Sequence, residues 1–259
     1  MEQKRQIAAL AESEEERMLL VRVCDRLERA REREMPAATA FLSQREQALV
    51  RQLLPQCAFF GGTDGAERAV AFYLPEYLTQ EDYFDEDGPI ACLRVRFYEE
   101  NSLSHRDILG ALMGMGIRRD AVGDICLHEK HCDIFILSEL TRYLLDNLTS
   151  AGRQHLSCER IALSQAEKTP QKLREVRVTV SSLRLDAVLA AAFHLSRGAA
   201  AEAVNAGRAA VNSLTSCKPD RLLSEGDEVS LRGSGKFRIL ALGGETKKGR
   251  LALTVGIFI

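Results

Sequence analysis

The sequence predicts an α+β protein of three small domains, and three observations carry that prediction. Breaks near Pro75 and at Thr169-Pro170 divide the 259 residues into stretches of small-domain size, 1–77, 78–168 and 169–259. The middle stretch alternates strand and helix patterns in the order βαββαβ. The last stretch sets two short helix patterns ahead of several short strand patterns.

Residues 2 to about 34 read as one amphipathic helix, with Ile7, Leu10, Met18, Val21 and Leu27 as apolar anchors, ended by Pro36. A second helix, Ser43 to Leu54, opens on the capping box Ser43-Gln-Arg-Glu46. Strands follow at Cys57–Phe60 and Ala69–Leu74, completing an N-terminal α/β module. The acidic, turn-rich Thr79–Pro89 reads as a linker. Beyond it, Ala91–Tyr98 alternates Leu93, Val95 and Phe97 with arginines. Ser104 to Asp107 caps a helix to about Met115, and Val122–His128 with Cys132–Leu137 forms a hairpin around Glu129-Lys130. A helix Glu139–Leu148 capped by Ser138 and a strand Gln154–Leu163 close a ferredoxin-like order, the topology of RNA-recognition modules. The aromatic signature that stacks bases on such sheets is absent from the sequence. The C-terminal stretch has a strand Arg174–Val180, helices Leu183–Phe193 and Arg197–Asn205, with Ser196 as cap and Gly207 as stop, then strands at Ala209–Asn212, Glu228–Arg232, Phe237–Leu242 and Leu251–Ile259.

Composition narrows the function. Hydrophobic residues are 46% and charged residues 28%, the balance of a globular protein, and no apolar run reaches membrane-spanning length or forms a signal core. A cytoplasmic monomer is expected. Seven cysteines without a C-x-x-C pair read as reduced thiols. Net charge is −2, unevenly spread: from Ser181 onward 11 Lys+Arg face 7 Asp+Glu, a balance of +4, while residues 1–180 hold 24 against 30, a balance of −6. A basic C-terminal module on an acidic body points toward nucleic acid.

The C-terminal motifs are Arg184-Leu-Asp186, Ser196-Arg197, Gly207-Arg208 through Asn212, and Glu225-Gly-Asp-Glu-Val229. Arg197 lies in a helix's first turn, whose N–H groups favour phosphate; Arg184 and Arg208 are expected to flank it, and Asp186 to orient an arginine by a bidentate pair. A second basic cluster, Arg232, Lys236, Arg238, Lys247, Lys248 and Arg250, lies among glycines. His105, Arg106, Arg118 and Arg119 are candidate secondary RNA contacts. Gly233-Ser-Gly-Lys236 lacks the flanking residues of a phosphate-binding loop, and His105-Arg-Asp107 lacks the partners of a kinase catalytic loop. Cys126, His128, His131 and Cys132 fit no structural zinc spacing, and hairpin alternation does not point all four one way, so no metal and no cofactor are expected.

These C-terminal motifs resemble the alpha-L RNA-binding motif, or S-four domain. The wider chain resembles one family, the YlmH-type RNA-binding proteins, through Phe41-Leu-Ser-Gln-Arg-Glu-Gln47, Phe60-Gly-Gly62, Ala66-Glu-Arg68, Leu74-Pro-Glu-Tyr77, Leu103-Ser-His-Arg-Asp-Ile-Leu-Gly-Ala-Leu112, Gly116-Ile-Arg-Arg119, Val122-Gly-Asp-Ile125 and Lys247-Lys-Gly-Arg250. The resemblance implies a bacterial, non-enzymatic protein that binds structured rRNA or peptidyl-tRNA on the large ribosomal subunit, in ribosome-associated quality control of stalled nascent chains. Asn212 and Ser196 join the implied RNA-binding set. Two alternatives stay open: a protein-interaction scaffold linked to cell division, and an accessory to RNA-modifying enzymes. Where the family has a lysine-rich Gly-Lys-Val-Lys-Val-Asn strand, this chain has Gly207-Arg-Ala-Ala-Val-Asn212, which predicts weaker, less salt-dependent phosphate binding.

Overall fold

The computed structural model describes residues 2–85, 87–99, 103–168, 171–246 and 249–259. It forms two compact units, Met1–Thr169 and Pro170–Ile259. The expected boundary residues Thr169 and Pro170 themselves lie outside the described residues, as do Lys247 and Lys248. Helix and strand are mixed in both units, an α+β architecture.

The first unit opens with α1 (Glu2–Leu10) and α2 (Glu14–Glu32), two helices where the sequence suggests one. The break has a local cause: Ser13 is extended and its side chain accepts from Glu16 N, with Glu14, Glu15 and Glu16 in the new first turn. Restarting the helix resets its phase. Leu20, Val23, Cys24, Leu27 and Ala30 are buried, whereas Met18, an expected anchor, is 54% exposed. Next come β1 (Ala37–Leu42), α3 (Gln44–Leu53), β2 (Ala58–Phe60), β3 (Ala69–Tyr73) and a short α4 (Gln80–Tyr83) within the expected linker. The Ser43–Glu46 capping box forms in full. The three strands make an antiparallel sheet in the order β1-β3-β2.

The same unit continues through β4 (Ile90–Phe97), α5 (His105–Gly114), β5 (Val122–Leu127), β6 (His131–Leu137), α6 (Thr141–Asn147), β7 (Ser150–Ala151) and β8 (Gln154–Ile161). The strand order β5-β6-β4-β8-β7, with every pairing antiparallel, is the ferredoxin-like arrangement. Ser138 does not cap α6; it begins a 3-10 turn, and its hydroxyl donates to Gly88 O. One face of this sheet (Leu93, Val95, Ile134, Ile136) packs on α5 and α6 through Ile108, Leu112 and Leu144.

The opposite face is the one RNA-recognition modules leave open for bases. Here Ile90, Cys92 and Phe135 on that face join Ala38, Phe41, Val70 and Phe72 of the N-terminal sheet in one buried cluster. Two glycines allow the approach. A Cβ on Gly123 would lie 2.6 Å from Phe41 Cε1, and one on Gly62, at φ +96, would lie 2.3 Å from Phe135 Cδ1. Arg68 fastens the two sheets, donating to Phe41 O and Val122 O at 3.0 Å each. Asp124 accepts from the backbone N–H of Glu67 and Arg68.

The second unit holds β9 (Leu173–Val180), α7 (Leu185–Ala192), α8 (Arg197–Asn205), β10 (Ala209–Val211), β11 (Leu214–Thr215), β12 (Glu228–Leu231), β13 (Gly235–Glu245) and β14 (Leu251–Phe258). Its six-stranded sheet runs β11-β10-β12-β13-β14-β9. Val188, Leu189, Ala200, Val204, Val229, Phe237, Ile239 and Val255 fill the core between the helix pair and the sheet. Alanines at 200 and 203 are buried and let α8 lie close against its neighbours.

Candidate nucleic-acid interface

The second unit assembles the arginine site around one carboxylate. No side chain caps α7; instead a loop supplies carbonyls, with Leu185 N donating to Arg221 O (2.8 Å) and Asp186 N to Pro219 O (3.0 Å). Asp186 thereby sits in the first turn, only 4% exposed. His194 at φ +55 turns the chain between the helices, and Ser196 caps α8 by accepting from Ala199 N at 3.1 Å. This brings Arg197, the first residue of α8, back to Asp186.

The carboxylate accepts from Arg184 Nε and Nη2 at 3.1 Å each and from Arg197 Nε at 3.3 Å. The expected bidentate pair is therefore Arg184–Asp186, with Arg197 as a third member. Burial pushes the Asp186 carboxyl up, but the hydrogen bonds from the two arginines outweigh it and hold the group below the usual range. Arg184 is held above the usual guanidinium range by the same bonds. The triad carries one net positive charge. Its arginine side chains remain 38% and 53% exposed, so both forks are aimed by Asp186 and open to solvent.

Several expected members stand elsewhere. Arg208 does not flank the α8 start: the nine residues of α8 put it past the helix's other end, about 13 Å along the axis. There it pairs by backbone with Arg232, whose N–H donates to Arg208 O at 3.0 Å, and both side chains are exposed. Asn212, at φ +51, engages its amide internally, donating to Asp227 Oδ1 (2.8 Å) and accepting from Glu228 N (3.0 Å), which locks the turn. Lys236 and Arg238 share Glu228, at 2.8 and 3.5 Å, above the Phe258 ring. Arg250 donates to Thr179 O at 2.6 Å and ties the β13–β14 hairpin to β9. Lys218 and Arg221 bracket the loop over the α7 start and are cations the sequence reading missed; the turn Lys218-Pro-Asp-Arg221 was the available signal.

In the first unit, His105 and Arg106 lie exposed at the start of α5, behind the Ser104–Asp107 capping box. Arg118 pairs with Asp120. Arg119 turns inward to Val122 O and Gly123 O, and burial, then neighbouring Arg68, draws its pKa down. At the other end of the sheet face Arg94 grips buried Asp133 with two bonds (2.8 and 2.7 Å), and Arg96 pairs with Glu159 at 2.7 Å.

A ferredoxin-like domain, walled on one face, together with a separate unit displaying carboxylate-aimed arginines defines a modular RNA-binding protein without a base-stacking sheet. Residues 85–165 match the family model described as "Putative RNA-binding domain in YlmH". Ribosome-associated protein quality control protein P2 of Bacillus subtilis (strain 168) is 36% identical over 222 residues, covering 83% of this chain and 85% of that protein. The solved cell division protein ylmH from Streptococcus pneumoniae aligns with a TM-score of 0.49 at 20% identity, over 60% of this chain and 96% of that one. The chain belongs to the family of YlmH-type RNA-binding proteins. Among the described residues, no helix is long and apolar enough to cross a membrane.

Proposed function

We propose that this chain is a non-catalytic cytoplasmic factor that binds structured ribosomal RNA on the large subunit, with peptidyl-tRNA as a further contact, in ribosome-associated quality control of stalled nascent chains. The observation that carries the reading is the pair of arginines, Arg184 and Arg197, aimed by buried Asp186 at the start of α8. Such forks suit phosphate, and a helix start adds its own N–H groups. Arg208 with Arg232, then Lys236 and Arg238, and Arg250 extend the contact along the RNA backbone, and Lys247 and Lys248, outside the described residues, add to the same basic set. His105 and Arg106 are the secondary contact. Recognition of this kind reads shape and phosphate spacing, with no bond made or broken. The name of the B. subtilis relative supports the place in quality control. In the three-part division 1–77, 78–168 and 169–259, the first two parts act as one carrier for the third.

The test is sedimentation with purified ribosomal subunits at low and raised salt, beside an Arg184→Ala/Arg197→Ala variant. Wild type is expected to run with the large subunit and the variant to stay at the top. Equal behaviour of the two proteins would overturn the assignment of the arginine site.

A further inference from the structure

We propose that His128, His131 and Asp133 form a binding site for a zinc-class transition metal at the tip of the β5–β6 hairpin, with Glu167 beside its fourth position. Among the described residues, these are the one group of three or more metal-ligating side chains whose ligand atoms gather in one place, all within 4.8 Å of one another. The hairpin explains the gathering. His128 N donates to His131 O at 2.9 Å across the two-residue turn Glu129-Lys130, so the two histidines face each other across the strands. His131 and Asp133, two apart on β6, share a face. The imidazoles lie 4.7 Å apart between centroids, at 23°.

A second observation points to a ligand. His131 Nε2 is buried and makes no hydrogen bond, although Glu167 Oε1 lies 3.4 Å away. His128 Nε2 stands 3.0 Å from Glu167 O; donating there leaves its other ring nitrogen as a neutral lone pair, the arrangement that orients a metal-binding histidine. The local charge also suits a cation. Arg94 is the guanidinium between two carboxylates, Asp133 at 2.7 Å and Glu167 at 3.3 Å, so one negative charge remains beside the two imidazoles. Asp133 keeps one lone pair, on Oδ1, beyond those used by Arg94 and Glu167 N.

Two imidazoles with carboxylate favour a borderline ion such as zinc over magnesium or calcium, which seek oxygen alone. Tetrahedral bonds of about 2.0–2.2 Å set ligand atoms roughly 3.4 Å apart, so the set has to close by little more than ~1 Å. The ion would clamp the segment after β8 onto the hairpin. Gln165 O and Glu167 N already reach Arg94 and Asp133 there.

The site is tested on full-length, chelator-stripped protein titrated with Zn2+ alone against a chromophoric competitor, and with Co2+ by absorption. Wild type is expected to take up one equivalent, with the d–d spectrum of a four-coordinate site and no thiolate charge-transfer band. His131→Gln and His128→Ala should each weaken binding by about 100-fold. Circular dichroism separates lost ligation from lost fold, and His128, at the hairpin edge, serves as the variant least tied to folding. Zinc uptake no greater than in the doubly substituted His128→Ala/His131→Gln protein, or a thiolate band reporting cysteine ligation, overturns the proposal.

Discussion

Replacing Asp186 by asparagine sets charge against geometry at the arginine site. The substitution keeps side-chain volume and adds one positive charge to the basic unit. If net charge alone governed RNA binding, the variant would bind more tightly and its log Kobs against log salt would be no shallower than wild type. The structure predicts weaker binding. Asp186 is 4% exposed and holds two of the Arg184 N–H groups and one of the Arg197 N–H groups in fixed directions. Without the carboxylate both long side chains must be ordered when RNA arrives, a penalty of about tenfold for the pair. The added charge returns part of this, leaving affinity about fivefold below wild type with the salt slope unchanged. The cost to folding is small. Both arginines are more than a third exposed, and water takes over much of what the carboxylate supplied, so about 1 kcal/mol is lost. Fluorescence anisotropy with a ribosomal RNA stem-loop over a salt series reads the affinity, and urea unfolding reads the stability. An Asp186→Asn protein that binds as tightly as wild type, or tighter, would refute the view that Asp186 aims the arginines.

Arg197→Ala should instead flatten the salt slope by about 0.9, one phosphate contact, in the same assay. Arg68→Met leaves the carbonyls of Phe41 and Val122 without their donor and should destabilise the protein by about 2–3 kcal/mol, measured by urea unfolding followed by far-UV circular dichroism, since the chain has no tryptophan. Gly62→Ala combines a φ of +96 with a Cβ set against the fully buried Phe135 ring and should cost about 3 kcal/mol in the same measurement. Acid should act on Asp133 and Asp186, whose carboxyls burial pushes up but arginine bonds pull lower still. A carboxyl lowered in the folded state stabilises it fully above the ordinary value of 3.8 and loses that contribution as pH falls through the folded pKa. Wild type should therefore hold constant stability down to about pH 4–5 and lose it below, whereas Asp133→Asn should begin lower and depend less on pH across the same range. An equal acid slope in both would exclude Asp133 as its source.

Much of the architecture was legible because its signals are local. The capping boxes at Ser43 and Ser104, the Ser196 cap and the Glu129-Lys130 turn each involve residues within four of one another, and all four formed as read. The Arg184–Asp186 pair belongs to the same class, two residues apart. What escaped reading depends on distance. The break at Ser13 lies among glutamates and arginines that all favour helix, so propensity hid a cap. Strand β1, Ala-Ala-Thr-Ala-Phe-Leu, shows no alternation because its burial is set by a sheet packed against it from another part of the chain. Arg118 and Arg119 are chemically alike in sequence, yet one pairs with Asp120 at the surface and the other caps carbonyls on β5. The positive φ of Asn212 and its bonds across 15 and 16 residues to Asp227 and Glu228 depend on a loop that the local sequence does not announce.

The walled face of the ferredoxin-like sheet bears on how this protein can be cut. Residues 78–168 have the outline of a portable module, but Ile90, Cys92 and Phe135 owe their dryness to side chains from before residue 77. A fragment starting at residue 78, without β1, β2 and β3, would bare that patch to water, and such a surface seeks other copies of itself. The arginine-bearing unit carries its own core. Inheritance and engineering alike should find the C-terminal unit easy to transplant, and the two parts before it separable only by rewriting the seam between them.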